Sequence, residues 1–145
     1  MGILRNILAV VAGVLVGGAV NMALVVVGPQ LIPPPAGADM TTAEGLAAAM
    51  PRLGAQHFVF PFLAHALGTL AGALTAYLVA ATWRLGIAHF VGAFFLAGGI
   101  AASFMIPAPA WFIALDLLVA YVPMAWLGTR IGERLGRSSS PAPAS

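Results

Sequence analysis

The chain contains neither cysteine nor lysine, and only 7% of its 145 residues are charged. Without cysteine it has no disulfide, no thiolate metal site and no dithiol redox centre. The low charge excludes an ordinary soluble domain, in which about a quarter of the residues are charged. The basic pI of about 10.0 comes from six arginines that are spread singly along the chain. Because they form no basic patch, we expect no binding to nucleic acid.

Apolar residues are abundant: they make up 61% of the chain, and the mean hydropathy is +1.02. A membrane-spanning helix needs roughly 20 consecutive apolar residues, and the sequence offers four such stretches. We predict spans over residues 6–27, 57–81, 87–106 and 111–130. Residues 1–137 then form one four-helix transmembrane domain in a lipid bilayer. Residues 138–145, rich in serine and proline, have nothing to bury and are predicted to be a disordered cytoplasmic tail.

The connections between the spans predict an all-α, antiparallel four-helix bundle. The second and third links are short, so consecutive helices must be antiparallel neighbours. The first link, residues 28–56, is the one long polar connection. Within it Thr41 and Glu44 have the spacing of a capping box. We therefore predict a short helix over residues 42–50 that lies on the outer membrane surface.

The arginines set the predicted orientation, because arginine-rich loops resist translocation. The opposite side of the membrane holds Asp39, Glu44 and a single arginine, Arg52. We therefore predict a multi-pass protein of the bacterial cytoplasmic (inner) membrane, with both termini in the cytoplasm. Under this arrangement five arginines fall on the cytoplasmic side: Arg5, Arg84, Arg130, Arg134 and Arg137.

Small residues recur at helical spacing within the spans. Because lipid supplies no hydrophobic force between helices, small residues that let backbones approach take over. The same glycines also suit self-association, so we expect a homo-oligomer. Pro123 lies within the fourth span, where it removes a backbone hydrogen bond, and it is predicted to bend the helix as a hinge or as a static kink. The candidate packing glycines are Gly13, Gly17, Gly68, Gly72, Gly92 and Gly99.

Three polar residues are candidates for a site inside the membrane. Asp116 is the one acidic residue within a predicted span, and a buried carboxylate needs a partner, solvent or a proton. At 1.5 Å of rise per residue, His65 and Asn21 lie at a depth similar to that of Asp116. Together they offer either a centre that binds a proton or a small ligand, or hydrogen bonds that only staple the helices. Ser103, Thr69 and Tyr121 are expected nearby.

No cofactor is expected. His65 and His89 should differ in depth by more than about 10 Å, which disfavours a haem held by two histidines. A haem held by His65 together with Met22 or Met105 remains open. No metalloprotease, serine hydrolase or phosphate-loop motif occurs in the sequence.

Three functions remain at this point. The first is a structural, accessory or interaction subunit of the membrane. The second is a transporter of ions or small molecules with a protonatable centre at Asp116 and His65. The third is a membrane-embedded enzyme, which lacks a recognisable nucleophile paired with a base.

The predicted topology is testable with a reporter fused at Ala48. The long polar connection is expected outside, because only one arginine falls on that side. A periplasm-active reporter should therefore be active at Ala48, and a cytoplasm-active reporter should be inactive there. The opposite pattern would show that the orientation is inverted.

Overall fold

A computed structural model describes the backbone of residues 1–138 and the side chains of residues 1–136. This part of the chain contains no strand, and two 3-10 turns, Met50–Arg52 and Ala55–Phe58, follow α2. Four segments are long and apolar enough to cross a membrane, which confirms the predicted all-helical class and the four candidate spans. The helices are α1 (Gly2–Leu31), α2 (Ala43–Ala49), α3 (Val59–Val79), α4 (Arg84–Met105), α5 (Ala110–Val119) and α6 (Val122–Ser138).

The closest backbone contact joins α1 to α3. A Cβ atom placed on Gly13 would lie 2.7 Å from the carbonyl oxygen of Gly72, and one placed on Gly17 would lie 2.6 Å from that of Gly68. The reverse contacts, from Gly72 to Gly13 and from Gly68 to Gly17, measure 2.8 and 2.9 Å. Residue numbers rise along α1 from Gly13 to Gly17, whereas the numbers of the contacted residues on α3 fall from Gly72 to Gly68. Only glycine lets two helix backbones approach this closely.

Glycines of α4 pack on the last two helical segments. A Cβ on Gly92 would overlap the Cβ of Ala125, and one on Gly99 would overlap the hydroxyl of Tyr121. From the other side, Gly128 of α6 leaves room for the carbonyl oxygen of Leu70, 2.8 Å from its Cβ position. Five of the six predicted packing glycines therefore lie against another helix of the same chain, and Gly99 lies against Tyr121 in the α5–α6 junction.

The first helix is longer than predicted. We expected the first span to end at Val27, whereas α1 continues through Pro29 to Leu31. Its last turns are held by packing, since Gly28 is buried against Phe60. The proline is tolerated because it sits in the last turn, where it removes only one backbone hydrogen bond. At 30 residues and 1.5 Å per residue, α1 is about 45 Å long.

The fourth span is broken into two helices. A continuous helix over 111–130 with a bend at Pro123 was expected, whereas α5 ends at Val119 and α6 begins at Val122. Pro123 is the second residue of α6. Its position explains the break: it has no N–H to donate to a preceding carbonyl, and it is favoured in the first turn of a helix.

Residues 32–58 fold over one end of the helices, which we call the loop end. Asp39 organises the start of α2, because its carboxylate accepts hydrogen bonds from the Thr41 hydroxyl and the Thr42 hydroxyl, both at 2.6 Å. These bonds hold the pKa of Asp39 at about 2, below its usual 3.8. The predicted cap at Thr41 was wrong: Thr42 is the N-cap, and its hydroxyl accepts from the Gly45 N–H while donating to Asp39.

Two side chains fasten this segment. Arg52 donates to the carbonyl of Ala36 at 2.7 Å. The His57 ring uses both nitrogens, since Nδ1 accepts from the Gly54 N–H at 3.0 Å and Nε2 contacts the Pro33 carbonyl at 3.2 Å. These contacts join residues within the segment 32–58, so the segment is held in a compact fold by its own side chains.

The opposite end, which we call the arginine end, is closed by the start of α1. Asn6 accepts hydrogen bonds from the N–H groups of Ala81 and Thr82 and donates to the Thr82 hydroxyl at 2.9 Å. Arg5 donates to the carbonyl of Val79 at 2.7 Å. The α3–α4 connection therefore depends on side chains from α1. Residues 139–145 of the predicted tail lie outside the described residues, and Ser138 belongs to α6.

The α1–α3 contact can be tested by comparing Gly17→Ala with Gly18→Ala. A methyl group at Gly17 meets the Gly68 carbonyl and the Phe95 ring, whereas nothing lies within 4 Å of the Cβ position at Gly18. We expect Gly17→Ala to lower the free energy of unfolding in detergent by about 1–3 kcal/mol. Gly18→Ala should leave it unchanged or raise it, because alanine favours helix. Equal effects of the two substitutions would contradict this packing.

Candidate functional site

Asp116 is the centre of a buried polar cluster between α3, α5 and the α5–α6 break. Only 5% of the residue is exposed, and both carboxylate oxygens lie 2.9 Å from Nδ1 of His65 on α3. The Tyr121 hydroxyl donates to Oδ2 of Asp116 at 3.1 Å. The structure thus brings together Asp116 and His65, and adds a phenol as a third member.

The local fold places Tyr121 in this cluster. Tyr121 is the second of the two residues between α5 and α6, and in the described chain it is among the largest fully buried side chains. Its ring stacks on the His65 imidazole, with centroids 5.8 Å apart and planes at 29°. Its hydroxyl occupies the space that Gly99 leaves open on α4. Three segments therefore hold the phenol against the carboxylate.

The hydrogen bonds define the state of the cluster. An ionised carboxylate only accepts, so His65 Nδ1 carries the hydrogen that faces Asp116. The opposite ring nitrogen of His65, Nε2, makes no hydrogen bond within the described chain. With His65 neutral, the cluster carries one negative charge, and one added proton makes it neutral overall. Because net charge is costly inside a membrane, the carboxylate depends on the hydrogen bonds that it receives from His65 and Tyr121.

An apolar cavity of about 340 Å³ reaches His65 from the loop end. Its walls come from the ends of α1 and α3, from the α4–α5 connection and from residues 32–58. Among residues 1–136, the only ionisable side chains on it are His57 and His65, and no arginine of this part of the chain lines it. Pockets of roughly 300–1,000 Å³ with few polar groups are typical of small-molecule sites. Representative wall residues are Val25, Met50, Phe58, Phe60 and Phe112.

A second, smaller cavity of about 50 Å³ lies beside Asp116. It is lined by His65, Asp116 and Ser103 and is large enough for a water molecule. The Ser103 hydroxyl donates to the carbonyl of Ile100 at 2.7 Å and makes no hydrogen bond to His65. The three residues therefore do not form the hydrogen-bonded chain that a serine nucleophile requires.

The other predicted polar residues lie outside the cluster. Asn21 packs against Gly68, with its Cβ 3.2 Å from the Cβ position there, and hydrogen-bonds to neither Asp116 nor His65. Thr69 is fully buried, one turn from His65, and its hydroxyl has no partner in the described chain. His89 contacts the carbonyl of Leu85 on its own helix. Tyr121, which the depth argument placed nearby, does contact Asp116, whereas no sequence pattern indicated the cavity.

Comparison with protein-family models, with curated proteins and with solved structures found no match for the chain. Within the described residues, no group of three or more His, Cys, Asp or Glu side chains is placed to hold a metal ion.

A double-mutant cycle tests the His65–Asp116 contact. Because the two side chains share a buried hydrogen bond, His65→Ala and Asp116→Ala should show a coupling free energy of about 1–2 kcal/mol in detergent unfolding. The pair Asn21→Ala and Asp116→Ala serves as the control and should be additive within about 0.5 kcal/mol. A coupling for the control pair as large as that for His65 and Asp116 would contradict this assignment.

Proposed function

We propose that the chain is a small multi-pass protein of the bacterial inner membrane, an antiparallel four-helix bundle with both termini in the cytoplasm. The arginines support this orientation: Arg5 and Arg84 anchor to the carbonyls of Val79 and Ala80 at the same end of the molecule. Arg130 stacks over Trp126 at 5.2 Å, as expected where a helix meets the lipid headgroups. The loop end with α2 then lies at the outer surface.

Within this arrangement, we propose that the protein binds a small, largely apolar molecule in the outer half of the membrane, as a binding subunit or a transporter. The observation that carries the proposal is that the 340 Å³ cavity reaches the imidazole of His65, whose other face is held by Asp116. A cavity with no ionisable group at its base would fit a passive packing defect. Here it ends on a group that can exchange protons.

The cluster gives this site a means of coupling to protons. A proton taken up by His65 converts a net negative cluster into a neutral ion pair, and that changes what the cavity can hold next to it. Asp116 acts as the positioning group, because it fixes Nδ1, while Nε2 has no hydrogen-bond partner in the described chain. A transporter of this kind would lose activity in Asp116→Asn while still assembling in the membrane.

A second candidate function is structural. It is supported by the cluster itself, which links α3 to α5 and to the α5–α6 break by hydrogen bonds. A homo-oligomer remains part of this proposal, but it would use the outward face of α1, because the six packing glycines are occupied within the chain. Under this function, Asp116 substitutions would change stability only.

The cavity can be tested with an alkyl diazirine that carries no polar head, added to vesicles containing the full chain. Met50, Phe58 and Phe112 form a buried cluster on the cavity wall, so lipid alone does not reach them. We expect photolabelling at Phe112 in addition to the lipid-facing residues, as read by mass spectrometry. Val25→Phe, which fills the wall, should reduce this labelling by severalfold.

The matched control is Val26→Phe, because Val26 is exposed and does not line the cavity. It should leave the labelling of Phe112 unchanged. Labels confined to lipid-facing residues in the unsubstituted protein would overturn the binding proposal. That result, together with Asp116 variants that alter only stability, would support the structural function.

A further inference from the structure

The chemistry of the cavity narrows the class of ligand, and this inference rests on the binding function proposed above. We infer that the ligand is a neutral amphiphile with a hydrogen-bond-donating head, such as a medium-chain alcohol, whose hydroxyl donates to Nε2 of His65. The inference depends on which polar atoms are free, on the charge beside them, and on the size and access of the cavity.

Of the two histidines on the cavity wall, only His65 has a ring nitrogen without a hydrogen-bond partner in the described chain. Both nitrogens of His57 contact backbone groups, at Gly54 and Pro33. His65 presents Nδ1 to Asp116, and 27% of its side chain is exposed. With the hydrogen on Nδ1, Nε2 is an acceptor. A ligand that meets it must therefore supply a donor.

Charge argues against an acidic head. The Asp116 carboxylate lies directly behind His65 and is compensated by two hydrogen-bond donors, not by an arginine or lysine. No arginine lines either cavity at the site. A carboxylate or phosphate head would bring a second negative charge into apolar surroundings, where an uncompensated ion is costly. An ammonium head would itself lose its water in the same surroundings, whereas a hydroxyl enters uncharged.

The size and opening of the cavity determine how large the rest of the ligand can be and how it enters. Its 340 Å³, at the roughly 30 Å³ that a water molecule occupies in the liquid, holds about ten non-hydrogen atoms. Val25 lines the cavity and is 44% exposed, so the cavity is not sealed along α1. With α1 spanning the bilayer, as proposed above, a molecule dissolved in the membrane can enter past this residue. Phe58, Phe60 and Phe112 provide an apolar lining for its chain.

The test is a competition against diazirine labelling of Phe112, using octan-1-ol, methyl octyl ether and octanoate at equal mole fractions in the vesicle membrane. The three share a chain and differ in the head. One additional hydrogen bond should make the alcohol roughly 3- to 10-fold more effective than the ether. Octanoate should be less effective than the alcohol.

Nitrogen-15 NMR of the histidine rings gives an independent readout that needs no substitution at the site. Octan-1-ol should shift the Nε2 resonance of His65, and the ether should not, while His89, which does not line the cavity, serves as the internal reference. Equal competition by alcohol and ether with no selective His65 shift, or strongest competition by octanoate, would overturn the inference while leaving the binding function in place. Absence of any labelling at Phe112 would instead remove the binding function on which the inference rests.

Discussion

Burial of the Asp116 carboxylate is the constraint on which the arrangement of the second half of the chain depends. An acid in apolar surroundings must be met by donors, and here the donors come from α3 and from the junction of α5 with α6. Removing either donor leaves the carboxylate with only one, so the positions of His65 and Tyr121 are coupled to one another through Asp116. The break in the fourth span belongs to the same arrangement, because it carries Tyr121 to the carboxylate.

The first half of the chain is organised by a different force. Between α1 and α3 no hydrophobic effect operates inside lipid, and the helices meet through glycine backbones at Gly13, Gly17, Gly68 and Gly72. This contact depends on shape and has little tolerance for added atoms. The glycine surfaces that could otherwise bind other chains are occupied by this contact. The large side chains of α1 are left facing outward.

Several of these features were predictable from the sequence for identifiable reasons. Apolar length located the spans, and the constant rise of a helix placed Asp116 and His65 at matching depth. The same argument favoured Asn21, which failed to join them because depth says nothing about which way a helix face turns. Tyr121 contacts Asp116 only because the helix breaks between them. The cap is Thr42 and not Thr41, in a turn that Asp39 organises by binding both hydroxyls, and Asp39 lies outside the capping-box pattern.

The cavity was not predictable, because no single segment contains it. Its walls come from four separate parts of the chain, and its volume results from how residues 32–58 rest on the ends of α1 and α3. A composition of methionine, phenylalanine and proline in those parts is ordinary for helix ends. What distinguishes the cavity is that His65 lies at its boundary with a free nitrogen, which is a property of the assembled structure.

The amide of Asn6 has a consequence for the order in which the chain is made. It bonds to Ala81 and Thr82, which leave the ribosome some 75 residues after it does. Until they arrive, the amide has no protein partner and is satisfied by water at the membrane surface. Docking of the α3–α4 hairpin on Asn6 is therefore a late event in biogenesis.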